Sequence, residues 1–369
     1  MREDPHQMAN RTIQARVVGV FLTISLLTFT LAGCGGSSAG PGNSETRIQG
    51  AGATFPNPIY QKWFSEYNKA NANVKFDYQS IGSGGGIKQI TEKTVDFGGS
   101  DAPMKDDDLK NVQGQILHIP TVLGAVVITY NLPSVTSELR LTNEAVAGIF
   151  LGTIKKWNDP AIASSNEGVT LPANDITVVH RSDGSGTTFV FTDYLSKVSE
   201  AWKNGPGAGV AVQWPAGVGA KGNEGVTGQV KQTPNAIGYT ELIYAEENKL
   251  PVASIKNSEG QFVRPSLDST TAAAASTAGQ MPDDLRISIT NAPGATAYPI
   301  SSFTYLLVYK EQSDQAKGKA LVDFLWWAIH DGEAMARDKH YAPLPNEVVK
   351  KAEAKINSIT FQGKPLRTS

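Results

Sequence analysis

Arg181-Ser182-Asp183-Gly184-Ser185-Gly186-Thr187-Thr188 is a short polar turn that runs straight into the apolar-periodic segment Phe189 to Leu195. The β-branched run Ile176-Thr177-Val178-Val179-His180 precedes it, so the stretch reads as strand, glycine-rich turn, helix. Ser185 fits the N-cap position, and Gly184 and Gly186 let the backbone approach a ligand closely. The first turn of the helix leaves several N–H groups without intrahelical partners, and the helix dipole favours negative charge there. Arg181 adds a planar fork of charged donors just upstream. Two readings fit this string alone: an ordinary capped helix and an anion site.

Working outward, the same pattern occurs twice more upstream. Ile48 to Pro56 runs from a strand candidate through Ala53, Thr54 and Phe55 to Pro56 at the first helical position, and Ile59, Trp63 and Tyr67 then mark one buried face. Val74 to Tyr78 alternates like a strand, and Ile81-Gly82-Ser83-Gly84-Gly85-Gly86 opens a helix with Ser83 as its capping candidate. Val95 to Pro103 reads as a short strand ending in a turn that carries Asp101. Each piece alone is equally a plain connection, a loop or an Asx turn. Together they are better explained as one site, because ligands of open α/β sheets bind where strands end and helices begin.

The rest of the chain continues the alternation. Ile116 to Thr129 reads as a strand or strand pair connecting lobes, and Asn143 to Phe150 and Ile154 to Trp157 as helical. Gly205 to Gly228, around Trp214-Pro215, reads as a long loop, and Ala236 to Glu241 and Tyr305 to Tyr309 as strands. Ala320 to Ala336 predicts a helix burying Leu321, Phe324, Leu325 and Ile329, with Trp326 and Trp327 as packing residues. The Ala-rich Thr271 to Gly279 carries no assigned role. The pattern predicts an α/β architecture with mostly parallel sheets.

A chain of 369 residues suits two domains. With net charge −2 and 18% charged residues there is no polybasic footprint, so no nucleic-acid partner is expected. Arg2, Arg11 and Arg16 precede the apolar run Val17 to Gly33, the layout of a secretory signal peptide over residues 1–33. The alternative, a membrane span, wants roughly 20 apolar residues, whereas this run is shorter and carries Thr23, Ser25, Thr28 and Thr30. Leu31-Ala32-Gly33-Cys34 resembles a bacterial lipobox, which implies cleavage before Cys34 and lipidation of its thiol. Residues 34–46, rich in Gly and Ser, then form a tether. Removing the leader leaves 30 basic against 33 acidic residues, a net −3.

Cys34 is the sole cysteine, so once lipidated it leaves no thiol for a disulfide, a metal site or a nucleophile. An enzyme finds little support: there is no P-loop, no paired-His motif, and Ser185 does not sit in a G-x-S-x-G elbow. No catalytic residue, cofactor or metal is expected.

Taken together, Ala51 to Pro56, Ile81 to Gly85, Val95 to Gly98, Ser100 to Pro103 and Arg181 to Thr187 resemble the periplasmic phosphate-binding proteins of bacterial phosphate ABC transporters. Similar wording continues through Leu151 to Trp157, Phe189 to Leu195, Lys221 to Asn223, Ala236 to Tyr239 and Tyr341 to Pro345. The resemblance implies a two-lobed type II periplasmic-binding-protein fold with a hinge. Residues 47–121 and 300–369 would form one lobe and 122–299 the other. It implies phosphate held by Ala53, Thr54, Phe55, Ser83 and Asp101 from one side and by Arg181, Ser185, Gly186 and Thr187 from the other, with Asp183 holding Arg181. A buried carboxylate such as Asp101 repels an anion that has no proton to share, so phosphate, which carries one near neutral pH, is accepted and sulfate refused; arsenate is not excluded. The implied role is a monomeric, lipid-anchored binding protein on the periplasmic or extracytoplasmic face that delivers phosphate to permease and ATPase subunits. A sensor or scavenger of phosphate, or of an arsenate-type oxyanion, on the same fold is the alternative. His180 stands where some relatives carry a basic residue.

Overall fold

The computed structural model describes residues 45–367. The leader, Cys34 and nearly all of the tether lie outside those residues, and Thr46, expected at the end of the tether, instead opens the first strand. In chain order the elements used below are β1 (Thr46–Gly52), α1 (Asn57–Ala70), β2 (Val74–Ser80), α2 (Ser83–Thr91), β3 (Phe97–Ser100), β4 (Ile116–Tyr130), α3 (Asn143–Phe150), β5 (Thr177–Arg181), α4 (Gly186–Val198), β6 (Val218–Ala220), α5 (Gly222–Gln232), β7 (Ala236–Glu241), α6 (Leu267–Thr277), β8 (Ser301–Tyr309), α7 (Gln315–Ala328) and α8 (Glu333–Asp338).

Eight strands form one sheet in the order β2-β1-β3-β8-β4-β7-β5-β6. Its flanks are parallel, as the strand-turn-helix pattern requires: β1 with β2 and β3, and β5 with β6 and β7. Its centre is not. β8 runs antiparallel to β3 and β4, and β4 runs antiparallel to β7. The expectation of mostly parallel sheets therefore fails where the two long strands cross the middle. β4 is a single strand of 15 residues, buried throughout, which pairs with β8 over Ile116–Ala125 and with β7 over Val126–Tyr130. One continuous strand thus belongs to both flanks.

Each flank has its own aromatic packing. Ile59, Tyr60, Trp63, Phe64 and Tyr67 give α1 the expected buried face, and Phe76 of β2 stacks on Phe64 at 4.9 Å and meets Phe324 of α7 at 4.4 Å. On the other flank Phe191 of α4 stacks on Tyr239 of β7 at 4.5 Å, and Phe150 of α3 lies edge-on to Phe191 at 4.6 Å. Burying such side chains contributes about 1.5–3 kcal/mol each, so these clusters hold the turns that emerge above them.

Three local expectations differ. Ile154 to Trp157 is not helical: Gly152 adopts φ +72 after α3, and Trp157 is tied by its N–H to Asn174 O and by its indole to Asn235 O. Ala320 to Ala336 is interrupted between α7 and α8, where the Trp63 indole donates to Gly332 O at 2.8 Å. Gly205 to Gly228 contains β6 and the start of α5 rather than one long loop, and much of the Ala-rich segment lies in α6 with Ala273 and Ala274 buried. Among the described residues no helix is long and apolar enough to cross a membrane.

Candidate functional site

The Arg181–Thr188 turn resolves its two readings by being both. Ser185 is the N-cap of α4, with extended backbone, and its Oγ accepts the Thr188 N–H at 3.0 Å. That satisfies one of the early N–H groups and leaves those of Gly186 and Thr187 ahead of it. At α2 the N-cap is Gly82, at φ +87, rather than Ser83. A side chain there would strike Gly184 O at 2.4 Å, so only glycine fits. Ser83, now the first helical residue, accepts the Asp101 N–H on its Oγ at 3.2 Å.

Among the described residues, the backbone N–H groups of Thr54, Phe55, Ser83, Gly186 and Thr187 have no protein acceptor, although all five residues are buried. An unpaired buried N–H costs about 1–3 kcal/mol, so five from the starts of three helices amount to a site that demands an acceptor. The neighbouring carbonyls are turned to other work: Tyr244 Oη donates to Thr54 O and Tyr341 Oη to Phe55 O, each at 2.6 Å. Two expected donors have their N–H committed elsewhere: Ser185, to Val210 O at 2.8 Å, which leaves its hydroxyl to donate, and Ala53. The Ala53 N–H is spent on Gly99 O at 2.9 Å and its carbonyl on Tyr78 Oη at 2.8 Å, so it positions the turn and offers no backbone donor.

The upstream and downstream turns meet. Arg181 Nη1 donates to Thr54 Oγ1 at 3.2 Å, the Asn223 N–H donates to the same hydroxyl at 3.3 Å, and the Gly84 N–H donates to Gly184 O at 2.9 Å. A Cβ on Gly186 would come within 2.4 Å of both Asp101 Oδ2 and Ser83 Oγ. Thr54, Ser83, Asp101, Arg181, Ser185, Gly186 and Thr187, far apart in sequence, therefore come together in one buried cluster.

Arg181 is clamped by Asp183 through Nε–Oδ1 at 2.7 Å and Nη2–Oδ2 at 2.5 Å. Burial alone would raise the Asp183 pKa, but the hydrogen bonds and charge of Arg181, with the Gly222 N–H, outweigh it and hold the carboxyl below its ordinary value. Asp101 goes the other way. Burial pushes it up to about 7 against the Thr304 hydroxyl, the charge of Arg181 and the Ser83 hydroxyl. With one guanidinium facing two carboxyls, net side-chain charge does not favour an anion here, so an anion at this place would depend on the N–H and O–H dipoles.

Three further residues complete the site. Asn223 donates from Nδ2 to Thr187 Oγ1 at 3.2 Å and accepts from Arg181 Nη1 at 3.4 Å. Tyr239 Oη accepts the Arg181 N–H at 3.1 Å and shares a 2.6 Å hydrogen bond with Thr188 Oγ1. Thr304 donates to Asp101 Oδ1 at 2.8 Å. Lys221-Gly222-Asn223 already carried part of the resemblance; Thr304, inside a strand, gave no local signal. His180 stays out of the site, stacked on Trp214 at 4.8 Å, its pKa lowered by burial.

Comparison with known proteins gives this geometry its family. Residues 37–331 match the PBP superfamily domain. The chain is 49% identical over 308 residues to the phosphate-binding protein PstS of Pasteurella multocida (strain Pm70), covering 83% of this chain and 89% of that one. The chain belongs to the PstS phosphate-binding protein family. It is also 39% identical to PstS of Methanocaldococcus jannaschii over 95% of this chain and 97% of that one. Among solved structures, the high-affinity periplasmic phosphate-binding protein PfluDING, bound with phosphate, has a TM-score of 0.67 at 22% identity, covering 87% and 96%. A Clostridium perfringens putative phosphate ABC transporter substrate-binding protein with bound phosphate has a TM-score of 0.60 at 16% identity, covering 81% and 100%. At those identities the likeness is one of fold.

Proposed function

We propose that this chain captures inorganic phosphate in the enclosed site and hands it to the permease and ATPase subunits of a phosphate ABC transporter. It is a binding protein and not an enzyme. The observation that carries this reading is the buried set of unpaired N–H groups beside Arg181, faced by the Asp101 carboxyl. Thr54, Phe55 and Ser83 donate from one side, and Arg181, Ser185, Gly186 and Thr187 from the other, while Asp101 accepts the proton that phosphate still carries. Sulfate, having none, meets Asp101 acceptor to acceptor.

Donors on both sides reach one ion only when the sides meet, so phosphate favours the closed arrangement. Residues 47–121 with 300–369 form one lobe and 122–299 the other. The pairing of β4 first with β8 and then with β7 supports a hinge in its middle, near Ala125 and Val126. The protein works as a monomer on the periplasmic or extracytoplasmic face, held to the membrane by lipid on Cys34. Phosphate uptake by cells lacking the chain tests transport: uptake returns with the wild-type chain and not with Arg181→Ala. Equal uptake with and without the chain overturns the transport role. Intact mass of the membrane-extracted protein tests the anchor, which requires an acylated N-terminal Cys34.

A further inference from the structure

β8 pairs antiparallel with β3, Tyr305 opposite Ser100 and Leu306 opposite Gly99. One more step of that register sets Thr304 opposite Asp101, just past the end of β3, and directly opposed residues share a face. Their side chains meet there: Thr304 Oγ1 donates to Asp101 Oδ1 at 2.8 Å, with both residues buried. On its other edge β8 slips against β4. Thr304 pairs with Val122 but Tyr305 with Pro120, leaving Thr121 of β4 unopposed. Pro120 has no N–H to give, and the Thr121 hydroxyl donates to Thr304 O at 3.3 Å, backed by Tyr60 Oη at 3.0 Å. Such bulges bend a strand and re-aim its side chains beside functional sites.

We propose that Thr304 is a specificity-determining positioning residue, which holds Asp101 as an ionised acceptor by occupying Oδ1 and leaving Oδ2 to face the anion. This rests on the phosphate reading above. Oδ2 is the oxygen that a Cβ on Gly186 would approach to 2.4 Å, so it faces the start of α4 and takes only a long 3.5 Å hydrogen bond from the Ser83 hydroxyl, whereas Oδ1 is turned to β8 and held by Thr304 at 2.8 Å. A hydroxyl donates more strongly to a carboxylate than to a neutral carboxyl, so the Thr304 bond favours the ionised form that refuses sulfate. The other groups facing Asp101 are the Ser83 hydroxyl of α2, the Arg181 guanidinium of β5, the phenols of Tyr60, Tyr78, Tyr244 and Tyr341, and the Glu241 carboxyl at the end of β7. Burial raises the pKa of all four phenols and of Glu241, keeping them toward their neutral forms and leaving Arg181 as the charged member of that set.

The test is calorimetric titration of wild type, Thr304→Val and Thr304→Ser with phosphate and with sulfate across the pH range around neutrality. Wild type should begin to accept sulfate only as pH falls through the Asp101 transition. Thr304→Val, which keeps the shape and removes the donor, should move that onset up by about one pH unit and cut neutral-pH selectivity about tenfold; Thr304→Ser should restore both. The same onset in a phosphate-binding Thr304→Val, or failure of Thr304→Ser to restore it, overturns this inference alone. If Thr304→Val does not fold, Thr304→Cys, a weaker donor, is titrated against the same two outcomes. A wild type that binds no phosphate at any pH overturns the functional reading and this inference with it.

Discussion

Replacing Gly186 by Ala adds one methyl group at the point where the two sides of the site touch. Its Cβ would lie 2.4 Å from Asp101 Oδ2, 2.4 Å from Ser83 Oγ and 2.7 Å from Asp101 Cβ. Ordinary contact needs about 3.4 Å, so the sides must part by about 1 Å. That movement would stretch the Gly84 N–H to Gly184 O bond from 2.9 Å, and the bonds of Arg181 and Asn223 to Thr54 Oγ1 from 3.2 and 3.3 Å, beyond useful length. It would also hold the donors of α1 and α2 away from an ion bound to α4. At about 0.5–1.5 kcal/mol for each net hydrogen bond, losing three or so costs about 2–4 kcal/mol, or roughly 30- to 700-fold in phosphate affinity. Gly186 has no positive φ, so the open, ligand-free protein should tolerate Ala without loss of stability. Calorimetric titration with phosphate, paired with thermal melts of the ligand-free variant, reads both quantities. Phosphate affinity within about threefold of wild type would refute the idea that these two helix starts close on one ion.

Asp101→Asn should gain measurable sulfate affinity, because the amide can donate where the carboxylate only accepts. In ligand-free protein the raised Asp101 pKa contributes stability that is present below its ordinary value of 3.8 and lost as pH rises through about 7. Asp101→Asn should therefore melt above wild type at pH 8, with the difference shrinking toward pH 4; a constant difference would contradict this. Asp183→Asn leaves Arg181 buried without its clamp and should destabilise the fold by about 3–5 kcal/mol and weaken phosphate at least tenfold. Because the Asp183 pKa is depressed, its stabilisation is present above the ordinary carboxylate range and lost as pH falls through the lowered value, so wild type and variant melts should converge in strong acid. Phosphate affinity should vary little with salt, since the contacts are buried dipoles with little exposed charge; a steep fall in affinity between low and high salt would argue for a surface electrostatic site.

What the sequence discloses about this site follows the range of the interactions involved. Ser185 capping α4 is a matter of a few consecutive residues, and its chemistry is written in the string. At α2 the string offers Ser83 as the cap, whereas Gly82 takes that place against Gly184 O of a distant turn, which local sequence does not disclose. The two parallel flanks follow from the strand-turn-helix repeats. The antiparallel centre does not, because the direction in which β4 and β8 cross depends on partners more than a hundred residues away. The break between α7 and α8 was hidden for a similar reason: apolar periodicity runs through it, while Trp63 of α1 stabilises the broken end. Asp101 in isolation is any turn aspartate; its burial and its contact with Thr304, 203 positions later, exist only once β3 and β8 are paired. Ala53 shows the converse limit, since its place in the turn was legible and the commitment of its N–H to Gly99 was not.

The central claim is that a closed cluster of unpaired dipoles selects phosphate through one carboxylate. Isothermal titration of the folded domain, stripped of ligand by partial unfolding and refolding, against phosphate and then sulfate at pH 8 tests it most directly. One phosphate bound per chain and no heat with sulfate are expected. Absence of phosphate binding, or sulfate binding with equal affinity, would contradict it.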